Sequence, residues 1–245
     1  MDCFVANAPL RKRFAFVAGN DDGASVARMS EAISGTFLIV PRISLRSCGL
    51  PADNAMTDLL PYRTMAYNNA WANHRLLTAC ARLTPEEFTA KRTGFFPSLR
   101  AMLNHILIID HFYVDAMEGG TLGPAAWADQ EPCATVAALK DAQAAVDRRL
   151  LKVVEALDGA ELQRIVSVHR GTSIQRERMD RLLLHLFQHQ VHHRGQAHAM
   201  LSDTSVSPPQ LDEFFAAGEA PLRAAEFAEL GWTEQGIWGG SDAGT

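Results

Sequence analysis

Hydrophobic residues recur at helical spacing over four long stretches of the chain. This spacing predicts helices from Leu60 to about Leu83, from Ser98 to about Glu118, from about Thr135 to Leu157 and from about Met179 to Ser202. A segment rich in β-branched residues, 163–176, predicts a hairpin. The pattern therefore predicts an all-α fold, a four-helix bundle with a small β-hairpin before the last long helix.

Capping and helix-breaking residues mark where these helices begin and end. The run Thr84-Pro85-Glu86-Glu87 predicts a capping box with proline at the first helical position. Gly94 and Pro97 interrupt the chain before the second long helix, and Gly119-Gly120 ends that helix. Because this helix is apolar around much of its circumference, we expect it to lie at the centre of the bundle.

The character of the chain changes at Met56. Residues 1–55 mix Gly, Ser and Pro with short apolar patches, which indicates a loosely ordered N-terminal extension or an over-extended reading frame with its true start at Met56. Mass spectrometry of the natural protein distinguishes these two interpretations. Residues 56–215 carry the helical pattern, and residues 216–245 form a tail with one short helix, from Leu222 to Leu230.

Composition and charge narrow the classes of function. With 47% hydrophobic and 21% charged residues, the chain can bury a core. A net charge of −5 without a basic stripe disfavours nucleic acid as a partner. No apolar run approaches the ~20 residues that span a bilayer, so no membrane association is expected. The cysteines form no CxxC motif, which favours free thiols in a cytoplasmic protein. They are Cys3, Cys48, Cys80 and Cys133.

Five of the nine histidines lie between residues 185 and 198. At 100° per residue, His189 and His193 fall one turn apart in the apolar stripe that the last long helix must bury. His185 and His192 lie on its flank, and His198 points nearly the opposite way. A metal ion gives both buried rings a partner, so the spacing favours a metal site. The alternatives are histidines bonded to carboxylates and a histidine-lined wet groove. The stripe also contains Leu182, Leu186, Ala197 and Met200.

A third ligand must come from another element. His105 is the best candidate because it lies in the most apolar helix, whereas His111 is about 120° away from it around that helix. The segment from His189 to His193 has the spacing of the zincin motif H-E-x-x-H, with Gln190 at the glutamate position. Because an amide cannot act as a general base, metalloprotease chemistry of that type is disfavoured.

Several segments resemble one known family. The run His189-x-x-x-His193-Arg194-Gly195-Gln196 resembles the signature of the DinB/YfiT-like family, and Leu103–Asp110 resembles that family's second-helix element. Residues 67–73 and 208–215 are also similar to members of the family. The resemblance covers about Met56 to Phe215.

This resemblance implies a four-helix bundle in which three histidines hold a divalent metal ion, commonly zinc or nickel. Residue by residue, the ligands fall on His105, His189 and His193. It also implies a homodimer. Characterised relatives are similar to thiol-dependent transferases and isomerases that use low-molecular-weight thiols such as bacillithiol or mycothiol. The family's label "damage-inducible" describes expression, not chemistry.

Three protein ligands leave a coordination position for water or substrate. We therefore predict a metal-dependent enzyme that activates a thiol or water for transfer to a small electrophilic substrate. A metal-dependent hydrolase is the close alternative. A non-catalytic, stress-associated metal-binding or interaction protein is the other, with His185 or His192 closing the coordination sphere.

Two further residues are candidates to contact a ligand histidine or the substrate. Gln196 lies on the ligand face of the helix, although a packing or capping role is equally consistent with its position. Arg194 points to the flank, where the favoured interpretation is a structural ion pair. No general base can be named, because Asp110 lies about 140° from His105 around the second long helix.

Overall fold

The computed structural model describes residues 54–239, with side chains from residue 59 onward. The chain divides into two units, residues 1–48 and 49–245, and the described residues belong to the second unit. The predictions about residues 1–55 therefore fall almost entirely outside the described residues.

Seven α-helices and one hairpin make up the described part of the chain. The helices are α1 (Asn54–Cys80), α2 (Pro85–Thr89), α3 (Leu99–Met117), α4 (Val136–Glu155), α5 (Met179–Leu201), α6 (Ala220–Leu230) and α7 (Glu234–Trp238). The strands are β1 (Ile165–His169) and β2 (Ile174–Arg178). Three short 3-10 helices lie at Gly123–Trp127, Glu161–Gln163 and Ala217–Glu219.

The four long helices pack as a bundle in the cyclic order α1, α4, α3, α5, since each contacts the two next to it in that order. The predicted four-helix bundle is confirmed. The helix α1 begins at Asn54, before the predicted Leu60, because no capping residue marks a start at residue 60 and Pro61 is accommodated inside the helix. The short helix α7 was not predicted from the sequence.

Helix α3 is the central element, as its composition predicts. Fifteen of its nineteen residues are buried, so nearly every face of the helix meets protein. Its N-terminus is capped by Ser98, whose hydroxyl accepts the Ala101 N–H at 3.1 Å. The predicted capping box of α2 is also confirmed, with Thr84 and Glu87 each accepting the other's backbone N–H.

The hairpin lies directly before α5, as predicted. Its strands pair antiparallel from Ile165 opposite Arg178 to His169 opposite Ile174, and the valines of β1 face inward while its other residues face outward. Because β2 runs into α5 without a loop, the hairpin holds the start of α5 and carries its turn, residues 170–173, towards α3.

Two of the predicted free thiols, Cys80 and Cys133, are buried and unpaired. The other two cysteines lie outside the described residues. Within residues 54–239, no helix combines the length and the apolar character that crossing a membrane requires.

Candidate metal centre

Three histidine side chains converge where α3 packs against α5. His105 comes from α3, and His189 and His193 come from successive turns of α5. Their ligand nitrogens all lie within 4.8 Å of one another. The shortest separation is 3.2 Å, between the Nε2 atoms of His105 and His189. Within the described part of the chain, these three side chains form the one group of His, Cys, Asp and Glu with this geometry.

The arrangement fits a metal ion. Two nitrogens bound at 2.0–2.1 Å in a tetrahedral site lie about 3.3 Å apart. The 3.2 Å between His105 and His189 matches this separation, and all three ligand nitrogens lie within 4.8 Å of one another. The Nδ1 atom of His189 is buried without a hydrogen-bond partner among the described residues. Among the described residues, the polar contacts of these three rings are with one another and with Gln196, and none is with a carboxylate.

The surroundings keep the imidazoles neutral. Burial, with a smaller contribution from His193, lowers the pKa of His105 to about 3. Burial and the other histidines lower the pKa of His189 to about 2. Burial also lowers the pKa of His193, while its hydrogen bond to Gln196 opposes that change. A neutral imidazole has the free lone pair that a metal ligand needs, so the cluster is in its ligating form at neutral pH.

Two side chains border the cluster. The Oε1 atom of Gln196 lies 2.7 Å from Nδ1 of His193, a distance at which that ring donates its N–H and turns Nε2 towards the cluster. Phe96, from the loop before α3, places its ring 4.4 Å from the ring of His105 and 5.7 Å from that of His193. Sequence reasoning missed Phe96, because a single aromatic residue in a loop carries no periodic signal.

Comparison with known proteins places the chain in a family. The DinB family model matches residues 56–224, which is most of the chain. The chain belongs to the DinB family. It is 22% identical over 150 residues to Protein DinB of Bacillus subtilis (strain 168), covering 59% of this chain and 86% of that protein. It is 25% identical over 131 residues to the uncharacterized protein YizA of the same organism, covering 54% and 80% respectively.

A solved structure is also similar to this DinB-family chain. It is that of a DinB-like protein from Bacillus cereus ATCC 10987, with 16% sequence identity and a TM-score of 0.48. The match covers 59% of this chain and 91% of that one.

The flanking histidines of this DinB-family protein stand outside the cluster. His185 is exposed, and its ring centroid lies 6.4 Å from that of His189. His192 is also exposed, with its ring centroid 4.9 Å from that of His193. Neither ring offers a nitrogen within the group formed by the three converging histidines. The described residues therefore offer three candidate ligands, one fewer than a closed tetrahedral site uses.

Gln190, the residue at the zincin glutamate position, faces away from the histidines. It is fully buried, and its amide donates to Oδ1 of Asp110 at 2.5 Å and to the carbonyl of Ile106 at 3.3 Å. Asp110 also accepts from Gln143 at 2.6 Å. Burial, followed by the charge of Asp147, raises the pKa of Asp110. This carboxyl group belongs to the bundle interior and not to the metal centre.

Arg194 lies on the flank of α5 that faces α1. It is 4% exposed, and its guanidinium donates to the side-chain oxygens of Asn69 and Asn73 on α1. Asn73 in turn donates to Asp147 on α4 at 3.1 Å. This flank is interior because α5 packs against both α1 and α3. Arg194 bonds to amide side chains, and none of the ion pairs found among the described residues includes it.

Proposed function

We propose that His105, His189 and His193 hold one divalent metal ion, zinc or nickel, and that this chain is a metal-dependent enzyme. In this proposal the enzyme activates a low-molecular-weight thiol for transfer to a small electrophilic substrate. The convergence of three neutral imidazoles within 4.8 Å carries the proposal. Membership of the DinB family supports it.

The number of ligands favours an enzyme over a closed structural site. Structural zinc sites use four protein ligands, whereas catalytic sites use three and keep a position for water or substrate. When bound, a divalent ion lowers the pKa of a coordinated water or thiol and so supplies a nucleophile at neutral pH. The protein orients His193 through Gln196 and covers the ring of His105 with Phe96.

A thiol is a better candidate nucleophile than water. Metal-dependent hydrolysis usually needs a carboxylate base beside the bound water. Asp110 is directed into the bundle, where the amides of Gln143 and Gln190 bind it. No carboxylate among residues 54–239 belongs to the histidine group. Once its proton is lost to solvent, a bound thiol needs no such base.

Elemental analysis tests the ligand assignment. Protein purified without an affinity metal should contain one equivalent of zinc or nickel, and His189→Ala and His193→Ala should each lose it. His198→Ala is the matched control, since His198 lies on the same helix and contacts the carbonyl of Pro209 instead. Stoichiometric metal in both ligand variants would contradict the proposal.

X-ray absorption spectroscopy of the loaded protein tests the catalytic part. Three nitrogen ligands from the protein and one or more water ligands are expected. Coordination by a fourth imidazole, from His185 or His192, would contradict the proposed enzymatic function. It would favour a metal-binding protein without turnover. A screen of thiols against small electrophiles would then identify the reaction. Membership of the DinB family supports a homodimer, and light scattering tests this oligomeric state.

A further inference from the structure

Arg170 lies at the turn of the hairpin, over the C-terminal part of α3. Its guanidinium lies 4.9 Å from the ring centre of Phe112 and 5.7 Å from that of Tyr113. It donates to the Tyr113 hydroxyl at 3.2 Å and to the side-chain oxygen of Gln175 at 3.1 Å. The group is thus half-buried and held in place by two aromatic rings and two neutral acceptors.

The positive charge of Arg170 has no carboxylate partner within residues 54–239, since none of the ion pairs found there includes it. Among the described residues, partly buried Arg63 and Arg92 also lack a carboxylate partner, but each donates to backbone carbonyls. Arg75 is paired with two glutamates, and Arg149 and Arg223 with one each. A fixed guanidinium with neutral neighbours is well suited to bind an oxyanion.

A row of rings leads from Arg170 to the metal centre. The Tyr113 ring, which touches the guanidinium, lies 5.3 Å from the ring of His185. The ring of His185 lies 6.4 Å from that of His189, one of the proposed ligands. Arg170 therefore lies along the same α3–α5 seam as the histidine cluster, on the side towards the hairpin.

The length of this row follows from helix geometry. Eight residues separate His105 from Tyr113 on α3, and eight separate His185 from His193 on α5. At a rise of 1.5 Å per residue, each interval is about 12 Å long. The two helices give the same separation because the seam pairs His105 with His193 at one end and Tyr113 with His185 at the other. The guanidinium is thus on the order of 10 Å from the group of three histidines.

We propose that Arg170 binds the carboxylate of the thiol substrate while the sulfur occupies the open position at the metal. The proposal rests on the function proposed above and specifies its substrate class: a thiol with a carboxylate on the order of 10 Å from the sulfur. A single guanidinium matches a single carboxylate in charge and in its paired donor geometry.

Isothermal titration calorimetry on zinc-loaded protein tests this with matched thiols. The probes are 8-mercaptooctanoate and 8-mercaptooctanol, which differ only in the terminal group, and the short pair 3-mercaptopropionate and 3-mercaptopropanol. The long acid should bind at least about tenfold more tightly than the long alcohol, as expected for a charge-assisted hydrogen bond. The short pair should show no such preference, because the short acid cannot reach Arg170.

Three variants complete the test. Arg170→Gln should remove the preference for the long acid, and Arg170→Lys should restore part of it. Arg176→Gln, an equal charge change at an exposed position of the same hairpin, should leave the preference intact. Zinc content is measured in each, so that a folding defect is distinguished from a lost contact.

The outcomes separate this inference from the function on which it rests. Equal affinity for the long acid and the long alcohol in the wild-type protein would overturn the role of Arg170 and leave thiol activation standing. A preference that survives Arg170→Gln would also overturn it. Failure of every thiol to bind the zinc-loaded protein, or failure to bind zinc, would overturn the proposed function itself.

Discussion

Replacing Gln196 by alanine should weaken zinc binding about tenfold without changing the number of ions bound. The Oε1 atom of Gln196 accepts the Nδ1–H of His193 at 2.7 Å. That bond selects the tautomer whose Nε2 lone pair faces the other two histidines, and it fixes the plane of the ring. Without this bond, the free His193 ring populates a second tautomer and additional rotamers. Metal binding must then select one of these states, which weakens the affinity.

The magnitude follows from the strength of the bond. A neutral hydrogen bond contributes about 1 kcal/mol net, and tenfold in affinity corresponds to about 1.4 kcal/mol. Partners of metal-bound histidines typically change metal affinity by about 10- to 100-fold. Gln196 is partly exposed, so water can replace its oxygen, and the lower end of that range is expected. Gln196→Glu supplies a charged acceptor and should bind zinc at least as tightly as the wild-type protein.

Competition with a chromophoric chelator at pH 7.5 measures the zinc dissociation constant of each variant. Gln188→Ala is the matched control, an exposed glutamine on the same helix. Zinc affinities of Gln196→Ala and Gln196→Glu that both equal the wild-type value would refute the reasoning, because the hydrogen bond would then not orient His193.

Three other expectations concern stability. Folding lowers the pKa values of His105 and His189, so below pH 6.5 the unfolded chain binds more protons than the folded one. The free energy of unfolding of the metal-free protein should therefore fall by up to about 1.4 kcal/mol per pH unit for each histidine. Urea unfolding at pH 7 and pH 5 measures this loss, and equal midpoints would contradict it. Arg194→Met removes a buried positive charge that lowers the pKa of buried Asp147, and it should cost about 3 kcal/mol in chemical denaturation. Asn104→Ala removes two buried hydrogen bonds to the loop before α4 and should lower the free energy of unfolding by about 2 kcal/mol. An unchanged free energy of unfolding would contradict a stabilising role for these two bonds.

The bundle could be predicted because its signals are local. The apolar periodicity of each long helix depends only on residues within that helix, and caps such as Thr84 and Ser98 depend on residues three positions away. The convergence of His189 and His193 is local in the same sense, since one turn of helix brings them together. The choice of His105 depends on long-range contacts, because His189 and His193 lie 84 and 88 residues further along the chain.

The features that could not be predicted depend on which helices surround a given face. Phase around α5 separates an inner stripe from a flank, but it does not reveal that α1 also covers the flank occupied by Arg194. The position of Phe96 over His105 is set by the loop between α2 and α3, for which the sequence has no periodic signal. Arg170 was unremarkable in the sequence, because its place depends on how the hairpin packs on α3.

The arrangement of α5 joins the metal centre to the polar interior of the bundle. Each proposed ligand, His189 and His193, is followed by a buried polar residue, Gln190 and Arg194, about 100° further around the helix. Any rotation of α5 that moved the histidines away from α3 would also separate the amide of Gln190 and the guanidinium of Arg194 from their acceptors. Because unpaired buried polar groups are costly, the polar network fixes the rotation of the helix. The histidines are therefore held in register with His105 before any metal binds.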